Sequence, residues 1–422
     1  MGLLSVACTP KADDGDRTVL RVANWGGAKE GNAMDLKIDA IYREFERRNP
    51  GIVVREESTP GDYVAKMSLA FIADAQPDVL ALDASSAALF IEGGLVENLT
   101  PQIGADRDFR LDDYYPNAVN VARREKALYA IPIDFTPLVL YYNKRLFDRA
   151  GVAYPTGDWN FADFRAAAKR LTIPHADDTK SQYGYAFSNW PAGWVVWLWN
   201  NGADHVAPDG RSVSGYLDSP AAAEAVGYLR DLVKVDRSAP SQSQLAAMGE
   251  DLFAGGRAAM TVSGHWSMVG YGNAPKGRDG KPKIALDDLG VAPLPHQVPE
   301  SQSVIYEAGY AIAKRSRNKE AAWRFIRYMT SREVQEQYQS GNIAICARRD
   351  VAEARAKASA IERQFLAIVP TGRPPYGSRI EEYAAVEEGM QKAMDGVLSS
   401  GRDPQEALTR AARAIDREFA KR

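Results

Sequence analysis

Strand-like and helix-like patterns alternate over the first part of the chain, and this alternation limits the fold more than any other feature. Three short apolar runs, at 19–23, 52–54 and 79–82, predict β-strands. Between them, apolar residues recur at the spacing of one helix face. The two stripes are Ile38, Ile41, Tyr42 and Phe45, then Tyr63, Met67, Ala70 and Phe71. A strand–helix–strand–helix–strand order is typical of the α/β class.

Composition narrows the class of protein further. The 422 residues carry a formal net charge of −3, and 45% of them are hydrophobic. This is the composition of a folded globular protein with chain enough for two or three domains. No apolar run approaches the ~20 residues that a bilayer span needs. The near-neutral charge argues against nucleic acid as the main partner, because such a partner requires a concentrated basic face.

Cysteines and histidines are too few to organise the fold or a metal site. Cys8 and Cys346 can form one bridge at most, which excludes a disulfide framework. We expect Cys346 to be a buried free thiol. The four histidines are scattered, with no zinc-like spacing, so we expect no metal and no cofactor.

Catalytic motifs are missing, whereas aromatic residues are abundant. The chain has no Gly-x-Ser-x-Gly elbow, no P-loop and no dinucleotide-binding glycine pattern. It has 8 tryptophans and 19 tyrosines. Trp190, Trp194 and Trp197 would share one helix face. Such a stripe either packs in the core or stacks on sugar rings, and the pattern leaves both interpretations open.

Several polar and aromatic residues follow predicted strands. Trp25 and Trp266 come shortly after strands and beside glycines, and Asp83 directly ends a strand. Asp134 and Thr136 lie between two prolines in an extended segment that could cross between lobes. Ligands of open α/β sheets bind at the carboxyl ends of strands, so all five are candidate ligand contacts.

Taken in order, several segments resemble the extracellular solute-binding proteins of bacterial ABC transporters, in the sugar-binding group that includes maltose-binding protein. The matching stretches, which span nearly the whole mature chain, are FERRNPGIVV at 45–54, QPDV at 76–79, IP at 131–132, LYYNKRLF at 140–147, FAGGRAAM at 253–260, GHW at 264–266, EAGYAIAK at 307–314 and SREVQ at 331–335.

The resemblance implies the two-lobe periplasmic-binding-protein fold, an α/β architecture with the ligand cleft between lobes. The implied hinge crossings lie near 134–137, 305–309 and 341–345. The implied division is a signal remnant and tether at 1–16, an N-terminal lobe of 17–133 plus 306–340, and a C-terminal lobe of 134–305 plus 341–422.

The resemblance also implies a set of ligand-contacting positions in the cleft. Carried over by position, they are Trp25, Tyr63, Asp83, Asp134, Thr136, Trp190, Trp194, Gly264, Trp266, Tyr306, Glu307, Arg373 and Tyr376. An arginine such as Arg373 could bind a carboxylate, phosphate or sulfonate through two hydrogen bonds.

The function implied is capture of a carbohydrate, from a monosaccharide to an oligosaccharide or a glycoside. A ligand that touches both lobes favours the closed form, which an inner-membrane ABC permease would then recognise. We expect a monomer without catalytic residues, located in the periplasm. The residues before Cys8 resemble the end of a lipoprotein signal, although Ser5 departs from that pattern, so Cys8 is a candidate lipidation site.

Three other interpretations stay open at this point. The ligand could be an anionic polyol, such as a glycerol phosphate or a sulfonated sugar, bound through Arg373 or Arg379. The protein could be a carbohydrate-active enzyme, which would need two carboxyl groups flanking the scissile bond. It could also be an interaction protein without a small ligand, its tryptophans all belonging to the core.

Overall fold

The structure of the protein, a computed structural model, describes residues 17–25, 33–59, 62–277, 280–340 and 344–421. Cys8, the proposed tether, Gly26, Gly27 and Gly341 lie outside the described residues. None of the helices in the described ranges combines the length and the apolar character that a bilayer span requires.

The strands belong to two larger sheets and one short hairpin. Their bounds are β1 Thr18–Asn24, β2 Ile52–Ser58, β3 Val79–Asp83, β4 Arg123–Arg124, β5 Ala127–Leu128, β6 Ile131–Pro137, β7 Val139–Asn143, β8 Tyr183–Ala186, β9 Ala258–Ser263, β10 Leu289–Ala292, β11 Ser303–Ile312, β12 Ile345–Cys346 and β13 Gly372–Arg373. The predicted strands at 19–23, 52–54 and 79–82 are confirmed as β1, β2 and β3.

The helices cover the faces of these sheets. Their bounds are α1 Ala33–Arg48, α2 Tyr63–Ile72, α3 Ala87–Glu92, α4 Thr100–Ala105, α5 Pro116–Val121, α6 Lys144–Ala150, α7 Phe161–Arg170, α8 Pro191–Asn200, α9 Pro220–Lys234, α10 Gln242–Met248, α11 Ser267–Gly272, α12 Lys319–Met329, α13 Arg332–Gln339, α14 Arg349–Ala358, α15 Ala360–Ile368, α16 Tyr383–Leu398 and α17 Pro404–Phe419. The order of strands and helices confirms the α/β class.

The first lobe is built on a seven-stranded sheet with the order β12-β6-β11-β3-β1-β2, to which β13 adds by pairing with β11. The strands β2, β1 and β3 run parallel, and β11 and β6 continue the sheet antiparallel. The parallel part carries the predicted alternation, because each parallel connection needs a crossover helix. The carboxyl ends of β1 and β3 therefore lie at one edge.

The second lobe is built on a four-stranded sheet with the order β10-β7-β9-β8. One buried apolar cluster covers the first sheet and continues onto one face of the second, where it includes Tyr141 and Phe253. Another cluster packs on the opposite face of the second sheet, and α7, α8, α9, α16 and α17 all contribute to it. Among its buried side chains are Phe164 of α7, Trp197 of α8 and Leu408 of α17.

The chain passes between the sheets within short segments. Strand β6 ends at Pro137 in the first sheet, and β7 begins at Val139 in the second, so Leu138 alone separates them. Prolines lie near both ends of β6, where a missing N–H costs least. A second passage joins β10 to β11. The exact lobe division at 133/134, 305/306 and 340/341 stays a prediction.

Candidate ligand-binding site

Three aromatic rings meet where the second lobe faces β11. The ring centroids of Trp190 and Tyr306 are 6.1 Å apart and the rings are stacked at 25°. Trp266 lies edge-on to both, with its centroid 6.3 Å from that of Trp190 and 6.0 Å from that of Tyr306. All three side chains are only partly buried. We call Trp190, Trp266 and Tyr306 the aromatic trio.

Backbone geometry at two helix starts explains how the tryptophans of the trio reach this position. Trp190 precedes Pro191 and is the extended N-cap residue of α8, as expected for a residue before proline. Trp266 is the N-cap of α11, after β9. A β-carbon at Gly264 would lie 2.5 Å from the Trp266 ring, so glycine is needed there for the indole to fold back over the loop.

His265 anchors the loop that carries Trp266. Its backbone N–H donates to Thr136 Oγ1 at 2.7 Å, which ties the loop to the end of β6. Its Nε2 lies 3.1 Å from both carboxylate oxygens of Glu362 in α15. Burial alone would raise the pKa of Glu362, but the bonds from His265 and Arg355 hold it below the usual value. The loop is therefore fixed at His265, while Trp266 stays partly exposed.

A cavity of about 410 Å³ opens beside the aromatic trio in the second lobe. Trp190 and Trp266 form part of its wall, and its polar lining includes Ser188, Asp251 and Ser267. This volume lies in the range of small-molecule sites. An apolar ring face next to hydroxyl and carboxylate groups matches a ligand with both flat C–H faces and many hydroxyls.

The first lobe contributes a second aromatic pair. The rings of Trp25 and Tyr63 lie 5.2 Å apart. Tyr63 is buried and donates its hydroxyl to the backbone oxygen of Ala81 at 2.8 Å. Tyr63 therefore supports Trp25, which remains partly exposed. Within the described ranges, no ring contact joins this pair to the aromatic trio.

Carboxyl groups collect at the same edge of the first sheet. Ala308 in β11 pairs with Asp83 of β3 on one side and with Asp134 of β6 on the other, and Glu307 precedes it. Asp83 accepts hydrogen bonds from Ser85 and Ser86. Burial raises the pKa of Asp134 to about 7, against the opposing hydrogen bond from Tyr338.

Glu387 of α16 is a titratable residue that the sequence pattern did not single out. Burial, together with the charge of Asp83, raises its pKa to about 7. The charges of Glu387 and Asp83 both add to the effect of burial in raising the pKa of Tyr306. Glu387 follows Tyr383 by four residues, beside the buried stripe of that helix. In the sequence, Glu387 is marked only by its position next to the apolar stripe of α16.

Trp194, Arg373 and Tyr376 lie apart from the aromatic trio. Trp194 is 0% exposed within the second core, so no ligand can touch it in this conformation. Arg373 bonds to Asp204 at 2.7 Å and stacks on Trp199. Tyr376 donates to the same Asp204 carboxylate. These groups satisfy one another beside a separate depression of about 640 Å³ at the far end of α8.

Stability is expected to fall as the pH rises from about 4.5 to about 7, with Glu387 as one cause. The pKa of this carboxyl rises from 4.5 to about 7 on folding. Over that interval the folded chain binds more protons than the unfolded chain, so rising pH favours unfolding. The facing titratable groups are Asp83, Tyr306 and Tyr383. Glu387→Gln should flatten this slope in denaturant unfolding measured between about pH 4.5 and about pH 8.

The adjacent residue supplies the control for this measurement. Glu388 is exposed and pairs with Lys392, which lowers its pKa. Glu388→Gln should therefore retain the slope of the parent protein between about pH 4.5 and about pH 7. A Glu387→Gln slope that matches the parent would show that this carboxyl is not desolvated.

Cys346 is confirmed as a buried free thiol. Its sulfhydryl is fully enclosed, and burial raises its pKa to about 12. A thiol with so little thiolate at neutral pH is chemically inert. Among the described residues, no group of three or more histidine, cysteine or acidic side chains is arranged to hold a metal ion.

Comparison with known proteins agrees with this architecture. Residues 27–336 match the family model described as bacterial extracellular solute-binding protein. A binding protein of Brucella abortus (strain 2308) is 23% identical over 335 residues, which are 78% of this chain and 75% of that protein.

Two solved structures match nearly the full chain. An ABC substrate-binding protein of Listeria monocytogenes, in complex with cycloalternan, has a TM-score of 0.83 at 23% identity, over 96% of this chain and 100% of that one. The GacH receptor of Streptomyces glaucescens, solved unliganded and with acarbose, has a TM-score of 0.80 at 25% identity, over 96% and 99%. The two-lobe fold and the matched family model together show that the chain belongs to the bacterial extracellular solute-binding proteins.

Proposed function

We propose that this protein is the substrate-binding subunit of an ABC importer and that its ligand is a carbohydrate, from a monosaccharide to an oligosaccharide or a glycoside. The observation that carries the proposal is the aromatic trio beside a cavity lined by serines and Asp251. Indole faces stack on the C–H faces of sugar rings, and the polar groups bond to hydroxyls. The complexes of similar proteins with cycloalternan and acarbose support this ligand class.

The proposed mechanism is closure of the two lobes around an unaltered ligand. Trp25, Asp83 and Tyr306 would contact it from the first sheet, and Trp190 and Trp266 from the second lobe. A ligand can shift the open–closed equilibrium only by its difference in affinity for the two forms. The closed form would dock on the permease. The protein would work as an exported monomer, free in the periplasm or held at the membrane by a lipid on Cys8.

The two arginines that could have bound an anionic ligand, Arg373 and Arg379, both have other contacts in the structure. The guanidinium of Arg373 is engaged by Asp204, and that of Arg379 lies 4.6 Å from the ring centre of Tyr376. Asp83, Asp134 and Glu307 lie in neighbouring strands of the first sheet. An added phosphate or sulfonate would meet carboxyl groups there instead of a cation, which is unfavourable.

A thermal-shift screen of sugars, sugar phosphates and sulfonates tests the proposal directly. A specific ligand at 100 times its dissociation constant should stabilise the folded protein by ~2.7 kcal/mol. At least one neutral or amino-bearing saccharide should raise the melting temperature. If no saccharide does so, the carbohydrate proposal fails. Sustained conversion of a bound glycoside would instead contradict the absence of catalysis.

Trp266→Ala is expected to weaken binding of such a saccharide by more than about tenfold, the loss of one stacked aromatic contact. Gly264→Ala should weaken it as well, since the added methyl would displace the indole. Isothermal titration calorimetry measures both effects, and unchanged circular dichroism confirms the fold. Unchanged affinity in Trp266→Ala would remove this residue from the site.

A further inference from the structure

The loop that carries Trp266 has its backbone held at two adjacent residues. The hydroxyl of Tyr141 donates to the carbonyl oxygen of Gly264 at 3.0 Å, and the N–H of His265 donates to Thr136 Oγ1 at 2.7 Å. Both bonds lie before Trp266 in the chain. They fix where the loop leaves β9, and the His265 side chain decides how firmly the next residue is held, because adjacent residues share the backbone between them.

The imidazole of His265 depends on Glu362 for its hydrogen bonding. The imidazole is 0% exposed, and its Nε2 lies 3.1 Å from both carboxylate oxygens of Glu362. Its Nδ1 is buried without a hydrogen-bond partner in the described part of the chain. A buried polar group with no partner is costly. An imidazole that lost the Glu362 bond would therefore be driven towards water and would carry the loop with it.

Glu362 is itself held by a neighbouring helix. Its side chain is 2% exposed in α15, and Arg355 of α14 donates from Nε to its Oε1 at 2.8 Å. Nη1 of the same arginine donates to the backbone oxygen of Gln339, the last residue of α13, at 2.6 Å. Helix α15 contacts β10 of the second sheet, whereas α13 and α14 contact β12 of the first. The arginine therefore ties the carboxylate, and with it the Trp266 loop, to the frame of the first sheet.

Helix α13 completes a closed ring of contacts. Tyr338, next to Gln339, donates its hydroxyl to Asp134 Oδ2 of β6 at 2.8 Å. Thr136, two residues further along β6, accepts from His265. In a closed ring the position of each element restricts that of the others, and the hydrogen bonds of such a network support one another. A side chain that is oriented before the ligand arrives loses less freedom on binding, which raises affinity.

We propose that Glu362 is a positioning residue for ligand binding: through its bond to His265 it holds the Trp266 indole in the orientation that stacks on the bound sugar. Arg355 fixes the carboxylate and connects it to α13. Because Glu362 is buried, its effect on affinity has to pass through other residues. The inference rests on the proposed function and adds to it the group that supports the stacking ring.

Fluorine NMR of the protein labelled with 5-fluorotryptophan tests the positioning without any ligand. The chain has 8 tryptophans, and Trp266→Phe identifies the signal of Trp266. Glu362→Met removes both carboxylate oxygens at similar length. It should shift or broaden this signal, while the signal of Trp323, which packs against the first core, stays unchanged. Glu362→Gln keeps an oxygen that can accept from His265, so its spectrum should stay close to that of the parent. Glu353→Met is the matched control, since it makes the same exchange at an exposed position of α14.

Calorimetric titration measures the consequence for binding, with maltose, maltotriose, mannotriose and cellobiose as the first probes. For each saccharide that binds the parent, Glu362→Met should weaken binding by about five- to tenfold, and Glu362→Gln should retain most of the affinity. In a Trp266→Ala background, Glu362→Met should change the affinity by less than about twofold, because the indole through which it acts is gone. Unchanged circular dichroism confirms that each variant is folded.

The outcomes separate this inference from the proposed function. A parent-like Trp266 signal in Glu362→Met, or equal losses of affinity from Glu362→Met in the parent and Trp266→Ala backgrounds, would overturn the inference and leave carbohydrate binding intact. Failure of every saccharide to bind the parent protein would overturn the proposed function instead, and the spectra would still decide whether Glu362 positions the indole. If Glu362→Met does not fold, Arg355→Met replaces it, since it removes the bond that orients the carboxylate and should alter the same signal.

Discussion

Replacement of Trp194 with alanine is expected to lower the free energy of unfolding by about 3–5 kcal/mol, the cost of truncating a fully buried large aromatic side chain. Trp194 is 0% exposed and packs in the second core with Trp197. The surrounding core is closely packed, which limits relaxation around the cavity left behind. Chemical denaturation measures the loss, as a shift of the midpoint at constant slope.

Trp190 is the matched control for this prediction, since it lies four residues earlier on the same predicted face. It is partly exposed, lies at the edge of the second core and contacts Trp266 and Tyr306, whereas Trp194 is fully enclosed. Trp190→Ala should therefore cost far less stability than Trp194→Ala, and should weaken ligand binding. Equal destabilisation by both substitutions would show that the two indoles share one environment.

Gly377→Ala is expected to weaken ligand binding by about ten- to a hundredfold. Gly377 lies in the turn Tyr376–Ser378, and a β-carbon there would come 2.0 Å from the backbone oxygen of Ser85, which follows β3. Overpacking of this kind costs about 1–3 kcal/mol. Separation of the lobes relieves the clash, so the equilibrium moves away from the form that grips a ligand from both sides.

Small-angle scattering and calorimetry together check this prediction. The variant should have a larger radius of gyration and lower affinity, while its circular dichroism stays unchanged. Gly104→Ala is a suitable control, because a β-carbon at Gly104 meets no atom within 4 Å. Arg124 Nη2 bonds to the backbone oxygen of Ser378 at 2.6 Å across the same contact, so Arg124→Ala should shift the lobes in the same direction by a smaller amount. Parent-like scattering and affinity in Gly377→Ala would contradict this role for the contact.

Local signals predicted the elements well because capping and periodicity act within a few residues. Ser219 caps α9 and accepts from the Ala222 N–H. Asp403 caps α17 in the same way, with Pro404 in its first turn. Trp159 and Trp323 pack against the two cores.

Residue spacing alone does not correctly predict where the three tryptophans at the start of α8 lie. Trp190, Trp194 and Trp197 have the spacing of one helix face, but Pro191 begins the helix and leaves Trp190 as an extended N-cap residue. The shared face therefore holds for Trp194 and Trp197, which are buried. Trp190 instead contacts Trp266 and Tyr306, because its backbone is extended and not helical.

The sequence by itself determined the α/β class, the two helices between the first three strands and the presence of aromatic and acidic residues after strands. These features depend on backbone conformation and on residues near in sequence. Only the tertiary structure decided that Trp190, Trp266 and Tyr306 meet, that Arg373 is engaged by Asp204 and that His265 is engaged by Glu362. Each of these contacts joins segments far apart in the chain, and packing brings them together through the sum of many weak interactions that no local pattern encodes.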